Sequence, residues 1–145
     1  MTSVVQRVKR GSVCIDGEVC ATITQGMVVL AALTHSDDEA GVHKMAAKLA
    51  KLRIFEDHNG KMNRSILDIG GQMLLISNFT LAADCNSGHR PSFSNAMAPE
   101  LAKELFAKFE AAVKEQGVCL QTGKFGANMQ IELINDGPVT LIIDN

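Results

Sequence analysis

The sequence predicts a mixed α/β (α+β) fold, a curved, barrel-like β-sheet backed by two main helices, in a single domain over residues 1–145. Three observations predict it. β-rich runs open and close the chain, two stretches of helical periodicity interrupt them, and no repeat, low-complexity tract or Pro/Ser-rich linker divides the 145 residues. A chain of this length with 46% hydrophobic residues can bury roughly two-thirds of its unfolded surface in one core.

The first third reads as β-structure. Ser3 to Lys9 alternates in part, and Val13 to Ile15 and Val19 to Ile23 flank Asp16-Gly17, a pair that tolerates the positive φ of a tight hairpin turn. Met27 to Leu33 is an apolar run of strand length. From Asp37 the spacing becomes helical, with Val42, Met45, Ala46, Leu49 and Leu52 on one side and Lys44, Lys48 and Lys51 on the other. Ser36 or Asp37 is expected to cap this helix. Short strands are expected around Arg53 to Phe55 and from Met73 to Phe79, then a loop from Asp84 to Met97.

The second helix is expected to start near Pro99, with Glu100 in its first turn and Gly117 just past its end. Leu101, Leu105, Phe109 and Ala112 form its predicted apolar face. Two closing strands, Met129 to Ile134 and Val139 to Ile143, flank Asn135-Asp136-Gly137-Pro138, which locally reads as a hairpin turn.

Composition restricts function. Charged residues make up 21% and the formal net charge is −2, which argues against a large basic surface wrapped in nucleic acid. The six aromatic residues are all Phe, too few for the stacking platforms of a single-strand binder. Cys14, Cys20, Cys85 and Cys119 form no C-x-x-C pair and lie near no histidine at ligand spacing, so they read as buried free thiols rather than a metal or redox site. No apolar run approaches the ~18 residues that span a bilayer, so a cytoplasmic protein without membrane attachment is expected.

Conventional catalytic parts are scarce. His35, His43, His58 and His89 lie in polar or turn segments with no orienting third group in view, so neither a Ser-His-Asp nor a Cys-His arrangement is supported. Asp37-Asp38 suits a helix start and Glu56-Asp57 a strand end. No phosphate-cradling glycine motif occurs. No metal and no cofactor is expected.

Taken together, Gln6-Arg7-Val8, Arg53-Ile54-Phe55, Gly60-Lys61-Met62-Asn63, Ser77-Asn78-Phe79-Thr80-Leu81, Arg90-Pro91-Ser92-Phe93, Thr122-Gly123-Lys124-Phe125-Gly126-Ala127 and Asn135-Asp136-Gly137-Pro138-Val139-Thr140 resemble the D-aminoacyl-tRNA deacylase family, also called D-Tyr-tRNA deacylases. The segments fall in order along essentially the whole chain. The resemblance implies hydrolysis of the ester of D-aminoacyl-tRNA, with Gly-tRNA as a further substrate. It also implies a homodimer with active sites at the interface and a partner in the acceptor end of tRNA; DNA is not expected.

By the same resemblance, Ser77, Asn78, Phe79 and Thr80 form the catalytic strand end, acting mainly through main-chain or positioning roles. The family's segment has Gln where this chain has Asn78, and the shorter amide cannot reach the same point. Gly137 and Pro138 are implied to form a cis unit that enters the partner's site, with Arg7 bonding the Gly137 carbonyl. Phe125 and Met129 are implied to wall the pocket for the terminal adenosine. The implied catalysis is RNA-assisted, a terminal ribose hydroxyl helping to activate water.

Three alternatives stay open. One is a related deacylase of relaxed chirality acting on L-Ala-tRNA, motivated by Asn78. Another is a non-catalytic RNA-binding homologue. The third is a conventional nucleophile hydrolase acting through Thr80 or Cys85.

Overall fold

A computed structural model describes residues 1–86 and 88–145. Its elements run β1 (Thr2–Ile15), β2 (Glu18–Ile23), β3 (Gly26–Ala32), α1 (Glu39–Lys51), β4 (Phe55–Glu56), β5 (Met62–Arg64), β6 (Gln72–Ser77), a 3-10 turn (Phe79–Ala82), α2 (Pro99–Glu115), β7 (Cys119–Thr122) and β8 (Gln130–Asp144).

The sheet curves because β1 serves two partners along one edge. Residues 2–8 pair antiparallel with β3, residues 11–15 pair with β2, and β8 covers the opposite edge over nearly the full length. Where the partner changes, Gly11 leaves no room for a side chain, since a Cβ there would stand 2.9 Å from Val28 Cγ2. Beyond β3 the order continues through β6 and β7, both parallel to their neighbours, so the two helices serve as the crossovers that parallel pairing requires. The result is a nearly closed, barrel-like sheet with two helices.

Strands β3 and β6 are buried on both faces, which is why they read as unbroken apolar runs. Met27, Val29, Ala31, Met73 and Leu75 join a core with Met45, Leu49, Phe106 and Phe109 of the helices. The alternate residues Val28, Leu74 and Ile76 meet Val8, Val13, Ala21 and Ile23 in a second core on the other face of the sheet.

Several expectations need correction. The cap of α1 is Asp38, whose carboxylate accepts from the Gly41 amide at 2.8 Å. Asp37 instead accepts from the Thr34 amide and hydroxyl, at 2.6 and 2.8 Å. The strand expected at 53–55 starts at Phe55 and pairs with the unforeseen β5. The strand expected to reach Phe79 ends at Ser77, because Asn78 turns into the 3-10 turn. On α2, Leu101 is 61% exposed, and Ala102, Phe106, Phe109, Ala112 and Val113 form the buried face. The thiols are not buried: Cys20, Cys85 and Cys119 are exposed and Cys14 is half-buried.

The largest correction concerns Asn135 to Val139. No hairpin forms there; β8 runs straight through as one strand. Gln6 pairs with Thr140 and Val8 with Asn135, so residues 136–139 bulge outward opposite Arg7 alone. Within the bulge the Gly137–Pro138 peptide is cis and Gly137 has φ +134°.

Candidate active site

Parallel strands tend to place ligand sites outside their carboxyl ends, where crossovers diverge. Here β3 and β6 end together, Ala31 paired with Ser77, and a cavity of about 710 Å³ opens beyond them. Its space comes from small side chains: Ala31 and Ala32 from β3, Ala96, Ala98 and Ala102 around the start of α2, and Gly126 and Ala127 from the loop before β8. The volume suits a ligand of small-molecule size.

Ser77, Asn78, Phe79 and Thr80 line one wall of this cavity, and Phe125 and Met129 line another. Ser77 and Asn78 are half-buried, while Phe79 and Thr80 are exposed. Phe79 meets Phe93 edge to face, with ring centroids 5.2 Å apart, which forms an aromatic lip at the mouth. Met129 is held close by the backbone, since a Cβ on Gly123 would fall 2.4 Å from its sulfur.

The polar chemistry is sparse. Among the described residues, no charged residue and no histidine lines the cavity, and the polar side chains that do are Ser77, Asn78, Thr80 and Asn128. The Thr80 hydroxyl donates to Asn78 Oδ1 at 2.5 Å, so its proton is engaged by an amide that cannot serve as a base. Three of the four histidines have neighbours elsewhere: His35 Nδ1 lies 3.2 Å from the Asn95 carbonyl, His43 lies 4.0 Å from Glu115, and His58 contacts Asn59, while His89 is exposed. Cys85 does not line the cavity. The 3-10 turn adds main-chain donors, because its opening N–H groups, those of Phe79 and Thr80, have no partner within the turn.

Arg7, Gly137 and Pro138 do not line this cavity. Arg7 is 6% exposed, far from an ordinary solvated strand arginine. Its guanidinium donates to the Ile54 carbonyl at 2.7 Å and, through Nε, to the Asp136 carbonyl at 3.1 Å. The expected bond to the Gly137 carbonyl is therefore replaced by one to the preceding residue. The Asp136 carboxylate lies 3.4 Å from Arg7 Nε and 3.3 Å from Lys9 Nζ, which ties the bulge to β1.

Arg7, Lys9, Glu56, Arg64 and Asp136 also line a second, polar cavity of about 260 Å³. Nearby, the Asp68 carboxyl is held below its ordinary range, chiefly by the Ser65 amide and hydroxyl that donate to it, with the Arg64 charge adding to the effect. The residues singled out by sequence thus fall into two groups. One lines the apolar cavity; the other is the bulge, with Gly137 and Pro138 exposed, and the buried Arg7 that bonds to it.

Sequence reasoning missed Phe93, Asn128 and the alanines that hollow the cavity. Small residues at strand and helix ends give no local signal of the space they leave. Among the described residues, no three His, Cys, Asp or Glu side chains gather as a metal-ligating group, and no helix is long and apolar enough to cross a membrane.

Residues 4–144 match the family model described as D-Tyr-tRNA(Tyr) deacylase. A D-aminoacyl-tRNA deacylase of Bacillus cytotoxicus is 50% identical over 145 residues, covering 100% of this chain and 99% of the relative. One from Thermus aquaticus is 51% identical over 145 residues, covering 95% of the relative. Among solved structures, the c-Myc DNA Unwinding Element Binding Protein superposes with a TM-score of 0.94 at 36% identity, covering 100% of this chain and 99% of that one. A probable eukaryotic D-amino acid tRNA deacylase superposes with a TM-score of 0.86 over all of both chains; at 15% identity this is a likeness of fold alone. Matched across its length by the family model and by relatives at half identity, the chain belongs to the D-Tyr-tRNA(Tyr) deacylase family of hydrolases.

Proposed function

We propose that the protein hydrolyses the ester of D-aminoacyl-tRNA in the cytoplasm, with Gly-tRNA as a second substrate, releasing the amino acid and intact tRNA. It acts as a homodimer in which the apolar cavity of one protomer is completed by the Gly137-Pro138 unit of its partner. One observation carries the reading: the residues of the two motifs do not share a cavity within one chain, since Ser77 to Thr80 wall the apolar pocket while Gly137-Pro138 stands exposed on a bulge. A second copy of the chain brings them together.

The chemistry follows from what the cavity holds. An aminoacyl ester has a good leaving group, so the site needs only to position the carbonyl, admit water and stabilise the oxyanion. The N–H groups of Phe79 and Thr80 face the developing negative charge. With no base beside Thr80, its hydroxyl positions the substrate and forms no acyl intermediate. The terminal ribose hydroxyl of the substrate helps to activate water, a part the uncharged cavity leaves to the RNA. Phe125 and Met129 flank the terminal adenosine, and Lys44, Lys48 and Lys51, exposed on α1, meet tRNA phosphates.

Chirality is read by backbone. Proline has no N–H, so the partner's Gly137-Pro138 offers carbonyl acceptors to the α-ammonium of the substrate. A D-residue held there directs its side chain outward, and an L-residue collides with the unit. Because side chains of the protein take no part, the identity of the amino acid goes unread.

Complementation tests the shared site. Gly137→Ala displaces the unit, and Ala127→Trp fills the cavity of the same chain. Each alone is expected to lose about 100-fold or more of the activity on D-Tyr-tRNA. Coexpression in equal amounts is expected to restore about a quarter of wild-type activity, since half the dimers are mixed and each mixed dimer has one intact site. No recovery in verified mixed dimers would place both motifs in one chain's site and overturn the proposal. Tight RNA binding without hydrolysis would instead favour a binding homologue, and preference for L-Ala-tRNA a relaxed deacylase.

A further inference from the structure

Where β8 bulges away from β1, two backbone carbonyls beside the bulge need donors. They belong to Arg7, the one β1 residue spanned by the bulge, and to Val139, the last residue before regular pairing resumes at Thr140. Half-buried carbonyls of this kind seldom stay unpaired. Asn135, the last residue paired before the bulge, supplies both: its Nδ2 donates to the Val139 carbonyl at 2.9 Å and to the Arg7 carbonyl at 3.2 Å. Both acceptors are carbonyl oxygens, so the amide nitrogen must face them and the orientation of the side chain is determined.

The result is a clasp across the base of the loop that displays Gly137-Pro138. One bond ties position 135 to position 139, and the other ties the loop to β1. Arg7 secures the opposite flank through the Asp136 carbonyl at 3.1 Å. The chain from 136 to 139 is thereby pinned at both ends, and only Gly137 and Pro138 project.

We infer that Asn135 is a positioning residue for chiral selection, setting through this two-bond clasp where the Gly137 and Pro138 carbonyls stand in the partner's site. The inference rests on the reading of Gly137-Pro138 as the chiral unit. Asn135 touches no substrate; it acts through the backbone it holds. Aspartate has the same shape but no donor, and would set carboxylate oxygens against two carbonyls. Alanine removes the clasp without adding charge.

The test compares wild type, Asn135→Asp, Asn135→Ala and Val113→Ala, the last a core truncation in α2 away from both motifs. For each, kcat/KM is measured on D-Tyr-tRNA and L-Tyr-tRNA, alongside Tm. The D-over-L ratio is expected to fall about tenfold or more in both Asn135 variants, the scale of two lost hydrogen bonds that position a reacting group. Val113→Ala is expected to lower Tm while keeping the wild-type ratio, which separates positioning from general loosening. If the wild type is selective and a folded Asn135→Ala keeps its ratio within about twofold, the inference is overturned and the chiral unit stands. A wild type without selectivity would overturn the functional reading itself.

Discussion

Gly137→Ala is expected to lower kcat/KM for D-Tyr-tRNA by roughly 100-fold, the penalty of misplacing a reacting group by about 1 Å. Gly137 has φ +134°, a region L side chains rarely enter. A Cβ there would stand 2.8 Å from Val139 Cγ2, 2.9 Å from the Val139 nitrogen and 3.2 Å from Arg7 Nη2. Backbone cannot give way cheaply, so the bulge must move and carry the Pro138 carbonyl with it. The cost to stability is smaller, on the order of 1–3 kcal/mol, because the unit lies exposed outside both cores. Single-turnover deacylation and circular dichroism on the same preparation would separate the two effects. A variant that folds and retains full activity would remove Gly137 from the mechanism.

Gly26→Ala is expected to have the reverse profile, a large loss of stability with little change in activity per folded molecule. Gly26 begins the parallel pairing of β3 with β6, opposite Gln72. An added Cβ would lie 1.8 Å from the Gln72 carbonyl oxygen and 2.7 Å from its carbonyl carbon and amide nitrogen. Those are main-chain atoms of a central strand, so the two strands must part at this point. A loss of about 3 kcal/mol or more is expected, the upper end of overpacking costs. In a chain of this size that lowers Tm by about 6–12 °C. The cavity sits at the far end of the same strand pair, past Ala31 and Ser77, so turnover by the folded fraction should persist. Thermal unfolding within a few degrees of wild type would contradict the geometry of this crossing.

The two predictions touch parts of the molecule that were unequally legible in the sequence. The hairpin at Asp16-Gly17, helix α1 and the start and stop of α2 were readable because each depends on local chemistry: turn residues, 3.6-residue periodicity, Pro99 and Gly117. The apolar runs of β3 and β6 announced strands, but not that both faces would be covered. Strand β7 escaped notice because four residues, Cys119 to Thr122, carry too little pattern. Leu101 misled because apolar spacing alone does not say which side of α2 meets the sheet; Ala102 and Phe106, one residue over from Leu101 and Leu105, take that side.

The bulge at 136–139 was the hardest feature to foresee. Asn, Asp, Gly and Pro in succession usually reverse a chain, and nothing local distinguishes a turn from a bulge whose open carbonyls are met by Arg7 and Asn135. The site was legible only in part for the same reason. The polar strand end at Ser77 to Thr80 stood out, whereas the cavity beside it is made by alanines from three separate stretches of chain.

The most direct measurement is the hydrolysis of D-Tyr-tRNA and L-Tyr-tRNA, prepared from the same tRNA, by the purified protein under single-turnover conditions. The account predicts rapid release of D-tyrosine with the L-ester left close to its spontaneous rate. Equal hydrolysis of both esters, or faster hydrolysis of the L-ester, would contradict it.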